Sequence, residues 1–429
     1  MVNVLTQRYP ALGFARYRRY WFASFASVGA TQLIMLGQGW LIFELSGSAL
    51  QLGVLGAAAA LPNIAMTLLG GVIADRFDKR IIMMCTSLTT TLLLALLAWL
   101  DYSGVVAVWH VLSITALISL VSGLDWPARV SIYPQLVARS AFMSAVALNA
   151  FIWQSTRMAM PALGGLIIFA TSDTWPVFAL GAVGFFVMFA VIAGLRVAPP
   201  DAADQSPLEQ LHEGIRFIWT QDLFRWLLGI TFIGMFFSQS YVQILPVFVD
   251  LLGSDETGFG YLLSAGGVGS VVGTLLIGGV QKHRNLGGIM LGCAALSVAC
   301  LLGFAAAARL GAFYPALGFV FLSATFASVF MITSMTVLQL TVPDSLRGRV
   351  MGIHTMGYSL VPLGGLFLGA IAESIGASLA VVVGSSIYLL TIGYVYLQRD
   401  DIRQLDGQTA FSPASDSTKD DGVGENAPA

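Results

Sequence analysis

Residues 70–80 read Gly-Gly-Val-Ile-Ala-Asp-Arg-Phe-Asp-Lys-Arg and lie between two long apolar runs. The runs, residues 51–74 and 81–100, are each close to the ~20 residues that a helix needs to cross the hydrocarbon of a bilayer. The charged residues that separate them are Asp75, Arg76, Asp78, Lys79 and Arg80. A charged loop between two such runs predicts a chain that crosses a membrane and turns back at its surface.

The composition favours a membrane protein over the whole chain. Of 429 residues, 57% are hydrophobic and only 10% are charged, whereas a soluble domain carries roughly 25% charged residues. The net charge of −2 gives no sign of a nucleic-acid partner. The three cysteines are scattered, which argues against a disulfide framework and a zinc site. We therefore expect neither a metal nor another cofactor.

Apolar runs of membrane-spanning length recur along the chain. We predict twelve transmembrane helices, at about residues 20–44, 51–74, 81–100, 105–131, 141–170, 175–195, 225–250, 258–280, 287–308, 312–340, 350–373 and 378–397.

The distribution of Lys and Arg supports this number of spans. If the amino terminus is cytoplasmic and the spans alternate, 19 of the 21 basic residues fall on the cytoplasmic side. Arg309 falls outside, and Arg157 falls within a span. We therefore predict a multi-pass protein of the inner (plasma) membrane with both termini in the cytoplasm.

The chain divides into two parts of six spans. Residues 197–224 form the break between residues 1–196 and 225–398, and Ser206-Pro207-Leu208-Glu209 is typical of a helix start. Leu208, Leu211, Ile215 and Trp219 then follow at helical spacing. This pattern predicts a short amphipathic helix on the inner membrane surface. Residues 399–429 are predicted to form a disordered cytoplasmic tail.

The two halves resemble each other. Thr67-Leu-Leu-Gly-Gly-Val72 recurs as Thr274-Leu-Leu-Ile-Gly-Gly-Val280, and Met160-Pro-Ala-Leu-Gly-Gly165 is echoed by Val361-Pro-Leu-Gly-Gly365. Repeated halves around a central site are common in transporters. The predicted fold is an all-α integral membrane protein with two pseudo-symmetric six-helix bundles around a central cavity.

The opening stretch resembles a known signature. Gly71-Val-Ile-Ala-Asp-Arg-Phe-Asp-Lys-Arg80 is similar to the motif between helices 2 and 3 of the major facilitator superfamily. Residues 124–137 and 343–350 look like its drug and siderophore exporter branch, which includes macrolide-efflux-like and enterobactin-exporter-like proteins. Asp78 departs from the pattern, in which glycine is usual. The resemblance implies a secondary transporter that works by alternating access.

Asp75 is a candidate for an inner-gate latch. A carboxylate is stabilised by the free N–H groups and the dipole of a helix amino terminus, and the resemblance implies that this helix is span 11. Arg76 or Arg80 would then pair with Asp125 near the inner end of span 4. The alternative is that these charges are only topology anchors, which we favour for Lys79.

Arg157 lies about midway through predicted span 5. An arginine at that depth costs at least ~2.5 kcal/mol and is by default a functional hypothesis. Its candidate partners are Glu44 and Asp250, near the outer ends of spans 1 and 7. One interpretation is an anion-binding or coupling residue in the cavity, and the other is a structural charge pair between helices.

Other polar residues at similar depth are possible cavity-lining residues, although each taken singly favours a packing contact. They are Gln32, Gln38, Asn63, Asn149, Gln154, Gln239, Gln243 and His354.

These features favour an exporter of a small amphiphilic molecule, a drug or a siderophore-like compound, that works by alternating access as a proton antiporter. The chain contains neither a P-loop for ATP nor the His-Glu-x-x-His and Gly-x-Ser-x-Gly motifs of hydrolases, so we expect no enzyme. A lipid or lysolipid flippase on the same fold is the alternative. The expected partners are the substrate, protons and the lipid bilayer, with the protein a monomer.

Overall fold

The computed structural model of the chain is helical throughout the part that it describes, residues 9–76, 78–195, 207–280 and 285–405. The first six helices are α1 (Ala15–Ser46), α2 (Ala49–Arg76), α3 (Lys79–Tyr102), α4 (Val108–Ile132), α5 (Phe142–Thr171) and α6 (Trp175–Ala193). The next helices are α7 (Pro207–Thr220), α8 (Asp222–Ile233), α9 (Leu245–Leu251), α10 (Glu256–Val280), α11 (Leu286–Arg309) and α12 (Phe313–Thr341). The last are α13 (Asp344–Met356), α14 (Leu360–Ile375), α15 (Ala377–Gln398) and α16 (Asp400–Arg403).

Two long helical segments of the second part of the chain are interrupted. A π-helical turn (Gly234–Ser238) and a 3₁₀ segment (Gln239–Ile244) join α8 to α9. A 3₁₀ turn (Gly357–Ser359) joins α13 to α14. Each interruption falls inside a segment that the sequence predicts as a single span, so those spans are locally irregular.

Eleven helical segments of the described residues are long and apolar enough to cross a membrane by length and composition. The predicted all-helical membrane protein is therefore confirmed. The helix α5 is absent from the eleven, although it is 30 residues long. Its polar residues Asn149, Gln154 and Arg157 lower its hydropathy.

Asp78, which departs from the family pattern, has a structural role. Its backbone has a φ of −58°, outside the left-handed region, and its carboxylate accepts a 2.8 Å hydrogen bond from the backbone N–H of Arg80. Asp78 occupies the N-cap position of α3. Asp is among the preferred N-cap residues because its side chain accepts a hydrogen bond from a free N–H group of the first turn. Asp78 therefore begins α3, and the turn before α3 does not require glycine at that position.

The helix α7 connects the two halves of the chain, residues 9–195 and 222–405. It packs against the first part of α13, where Glu213 forms an ion pair with Arg349. A Cβ on Gly214 would lie 3.0 Å from the side chain of Ile353, so the two helices approach closely. Ile215 and Trp219 are exposed on the opposite face. The apolar face predicted from the sequence is thus directed away from α13 at these two residues.

The buried core is organised differently at the two ends of the molecule. We call the end where α1 finishes and α2 begins the distal end, and the opposite one the proximal end. At the distal end one continuous core contains side chains of both halves, including Leu36, Leu52, Phe248 and Phe304. At the proximal end each half has a core of its own. Among the described residues, the buried core is therefore shared by the halves at the distal end and divided between them at the proximal end.

The most extensive contacts between the halves are those of α2 with α14 and of α5 with α10. A Cβ on Gly53 would lie 2.8 Å from the carbonyl oxygen of Gly365, and one on Gly369 would lie 2.5 Å from that of Ala49. These distances are too short for any larger side chain, so glycine is what allows α2 to contact α14 backbone to backbone.

Overpacking this contact should destabilise the protein. We expect Gly53→Val to cost about 1–3 kcal/mol, because the added methyl groups force the backbones of α2 and α14 apart. The measurement is the melting temperature of the purified protein in detergent. Gly292→Ala is the matched control, since a Cβ there meets nothing within 4 Å. Equal melting temperatures for the two variants would contradict the proposed role of Gly53.

Candidate functional site

The position of Arg157 is fixed by the contact between α5 and α10. A Cβ on Gly267 of α10 would lie 2.6 Å from the carbonyl oxygen of Arg157, and one on Gly260 would lie 2.6 Å from that of Pro161. The backbone N–H of Ala162 also donates a 2.9 Å hydrogen bond to the hydroxyl of Ser264. Two glycines and one hydrogen bond thereby set the rotation of α5 against the second half.

Arg157 lies within electrostatic range of two tyrosines of the other half. It lies close enough to the hydroxyls of Tyr241 and Tyr358 to interact with both electrostatically. Tyr241 is buried, whereas Tyr358 is 48% exposed, and Arg157 is exposed as well. Arg157 is thus an exposed residue in the middle of a helix that contacts both halves, and its role in a central cavity stays a prediction.

The structure brings neither predicted partner to Arg157. Glu44 is exposed at the distal end, where its electrostatic neighbours are the carboxylates of Asp101, Glu256 and Asp173. Asp250 is also exposed, in α9. Among the ion pairs of the described residues, none joins either acid to Arg157. Both acids lie near a helix end and Arg157 lies near the middle of its helix, so the pairing is not seen in this conformation and stays a prediction.

His354 is a buried polar residue close to this cleft. It is only 1% exposed, and within the described part of the chain neither ring nitrogen has a hydrogen-bond partner. Its ring centroid is 6.3 Å from that of Tyr358, one helical turn further along the chain. His354 therefore packs behind an aromatic side chain that lies near Arg157, and it does not itself line the open cleft.

The predicted amide residues mostly make packing contacts between helices. Asn63 donates to the carbonyl of Ser119 at 3.5 Å, and Gln154 donates to the hydroxyl of Thr274 at 3.3 Å. The side chain of Gln243 lies against Gly365. The remaining members of the set are Gln38, which is buried, and Gln32, Asn149 and Gln239, which are half-buried.

The predicted latch residues are only partly visible. Asp75 and Arg76 lie in the last turn of α2, and their side chains are outside the described part of the structure. Arg80 donates to the backbone carbonyls of Ile192 and Ala193 at the end of α6. Asp125 is therefore not paired with Arg80 in this conformation, and the latch stays a prediction.

Asp125 instead belongs to a buried polar network that the sequence analysis did not identify. Its carboxylate is 2.9 Å from Nε of Arg129 and accepts a 2.8 Å hydrogen bond from Thr86. Arg129 donates to Ser27 at 3.0 Å, and the hydroxyl of Tyr20 donates to the carbonyl of Arg129. The network joins α1, α3 and α4 within the first half. An Asp and an Arg four residues apart in an apolar helix were the signal in the sequence.

Known proteins resemble the chain over almost its whole length. The profile of the family described as Transmembrane secretion effector matches residues 8–418. The chain is 26% identical to the staphyloferrin A transporter of Staphylococcus aureus, over 89% of the chain and 96% of that protein. It is 24% identical to the multidrug efflux pump Tap of Mycolicibacterium fortuitum, over 90% and 96%. It is 26% identical to the enterobactin exporter EntS of Shigella boydii, over 89% and 91%.

Solved transporter structures share the fold. A mutant of the nucleoside transporter NupG has a TM-score of 0.70 at 13% identity, over 89% of this chain and 99% of its own. A bacterial homologue of the iron transporter ferroportin in an inward-facing state has a TM-score of 0.68 at 14% identity, over 88% and 97%.

Breaking the buried pair of Asp125 and Arg129 should be costly. We expect Asp125→Ala to lower stability by about 3–5 kcal/mol, because it leaves the Arg129 guanidinium buried without its carboxylate. The double variant Asp125→Leu with Arg129→Met should recover part of this loss, since it removes both charges. Both effects are measured as changes in melting temperature in detergent.

The control is Asp400→Ala, which removes an exposed ion pair with Arg403 and is expected to cost at most about 1 kcal/mol. A double variant less stable than Asp125→Ala would show that the pair contributes more than charge compensation, against this prediction.

Proposed function

The chain belongs to the transmembrane secretion effector family of the major facilitator superfamily, and from this we propose that it exports a small amphiphilic molecule by alternating access. The export is driven by a proton gradient, as an antiport. The substrate is a drug or a siderophore-like compound, which is the range that the names of the three relatives cover. The protein resides in the inner membrane, with both termini in the cytoplasm.

Our proposal includes twelve spans in two six-helix halves. The helix α5 is the twelfth span, because its 30 residues extend for about 45 Å, more than the hydrocarbon thickness of about 30 Å. It packs against α1 and α10, which both qualify as spans. A helix that packs between two spans crosses the same bilayer. Arg157 of α5 then lies at a cleft that water can enter.

The conformation of the described residues fits one state of an alternating-access cycle. The shared distal core closes one end, and the separate proximal cores leave the other end open. The basic residues of the loops crowd the proximal end, which the positive-inside rule assigns to the cytoplasm. We therefore propose that this is the inward-facing state, ready to take substrate from the cytoplasm.

Arg157 is the observation that carries the proposed substrate class. It is an exposed cation at the cleft between the halves, opposite Tyr241 and Tyr358. The described ion pairs provide no carboxylate for it. A substrate with one anionic group and an aromatic or apolar body would supply the missing negative charge and pack against Tyr358, the exposed one of the two tyrosines.

The substrate proposal is tested by changing Arg157. We expect Arg157→Gln to reduce export at least about tenfold, because the loss of a charge-assisted hydrogen bond costs about 1.5–3 kcal/mol. Arg157→Lys should retain part of the activity, since the charge remains. The measurement compares secreted metabolites and drug sensitivity of a deletion strain that carries each variant at equal membrane abundance.

The matched control is Arg139→Gln, which removes an exposed arginine at the proximal end. Full export by both Arg157 variants would overturn the role of this residue in substrate binding and in coupling.

The inner latch provides a further prediction of the proposed mechanism. Asp75→Asn should abolish export while leaving the amount of protein in the membrane unchanged, because the amide has no charge with which to bind a helix amino terminus. Lys79→Gln, which changes the residue that we assign to topology, should export normally. If Asp75→Asn transports at the wild-type rate, the latch hypothesis is wrong.

A further inference from the structure

A charged contact crosses between the two halves at the distal end. Glu373 lies near the end of α14 in the second half. Its Oε2 atom accepts a 3.0 Å hydrogen bond from the hydroxyl of Ser48 and a 3.2 Å hydrogen bond from the backbone N–H of Leu50. Both donors lie at the start of α2 in the first half. One carboxylate oxygen therefore binds the amino terminus of a helix more than 300 residues away in sequence.

Glu373 is stabilised by the amino terminus of α2 and not by its own helix, α14. An acid in the last turn of a helix is repelled by the negative end of that helix's dipole, whereas an acid beside an amino terminus is stabilised. Because α14 runs antiparallel to α2, the end of α14 lies beside the start of α2. Ser48 also accepts a 3.2 Å hydrogen bond from the N–H of Gln51, so serine and glutamate together cap this helix.

The contact lies directly above the tight packing of α2 on α14. A Cβ on Gly369, one turn before Glu373, would lie 2.5 Å from the carbonyl oxygen of Ala49. Two neutral hydrogen bonds also cross between the halves, from Ala162 to Ser264 and from Gln154 to Thr274, but both join α5 to α10. Of these three links, only the one made by Glu373 carries a charge and lies at the distal extreme, where opening separates the helices furthest.

We propose that Glu373 is the outer-gate latch of the protein. It holds the distal end closed while the proximal end is open, and it must release the start of α2 before the distal end can open. The inference rests on the proposed alternating access and adds a residue to it. The predicted inner latch has the opposite arrangement. There, Asp75 at the end of α2 in the first half is expected to bind the amino terminus of a helix of the second half.

The latch is tested by measuring distances at both ends of the molecule. Pairs of spin labels are placed on cysteines at exposed positions, Ser103 with Leu310 at the distal end and Ser140 with Leu340 at the proximal end. The native cysteines Cys85, Cys293 and Cys300 are first replaced by alanine. Double electron–electron resonance then reports the two distance distributions for the protein in nanodiscs, without any need for a known substrate.

We expect Glu373→Ala to lower the ratio of distal-closed to distal-open molecules about fivefold, which is the effect of losing one helix cap. The distal distance should lengthen and the proximal distance should shorten in the same molecules. Glu373→Gln retains an acceptor oxygen without the charge and should lie between the alanine variant and the wild type.

Asp255→Ala is the matched control, because Asp255 is an acid at the same end that caps its own helix by accepting from the N–H of Gly258. It should leave both distributions unchanged. Wild-type distributions for Glu373→Ala would overturn the latch, as would lengthening at both ends, which indicates loss of packing. A failure of the proposed function can be distinguished from a failure of the outer latch. The first would appear as unchanged export by the Arg157 variants, whereas the second would appear as unchanged distances in Glu373→Ala.

Discussion

The close approach of backbones between the halves is the constraint on which the rest of the structure depends. Where α2 meets α14 and α5 meets α10, glycines allow contact at distances that no larger side chain permits. Such contacts act as tight pivots, because dispersion between closely packed helices replaces the hydrophobic effect that lipid cannot supply. They also fix the rotation of each helix, which determines that Arg157 faces the cleft and that Glu373 reaches the start of α2.

The desolvation cost of a charged side chain within a span is met in two different ways, at Arg129 and at Arg157. Arg129 is buried, and its charge is balanced by Asp125 and by hydroxyl groups of neighbouring helices. Arg157 is exposed at the cleft, where water or a ligand replaces a protein partner. The first arrangement makes the first half a rigid unit. The second leaves Arg157 without an ion-pair partner among the described residues, on a helix that contacts both halves, and this is why we propose it as a substrate contact.

Most of the fold could be predicted from the sequence, because hydrocarbon imposes one length and one composition on every span. The helix α5, predicted as a span from residues 141–170, falls short of the hydropathy of the others because of the polar residues Asn149, Gln154 and Arg157. The sequence did not reveal how Asp78 begins α3, since a capping interaction depends on local backbone geometry. Nor did it identify Arg129 as the partner of Asp125, because the positive-inside rule already accounted for that arginine as a loop charge.

The position of Arg157 along its helix follows from the sequence but its surroundings do not, since Tyr241 and Tyr358 lie in the 3₁₀ segments Gln239–Ile244 and Gly357–Ser359 of the other half. Glu373 was overlooked for a related reason. In the sequence it is one of several acids near the outer ends of spans, and only the antiparallel pairing of α14 with α2 distinguishes it. Each helix of that pair has an acid near its carboxyl end, where its own dipole disfavours a negative charge. In the alternating-access cycle that we propose, the two acids would act at opposite ends of the molecule and in opposite states, with the glycines between them as the pivot.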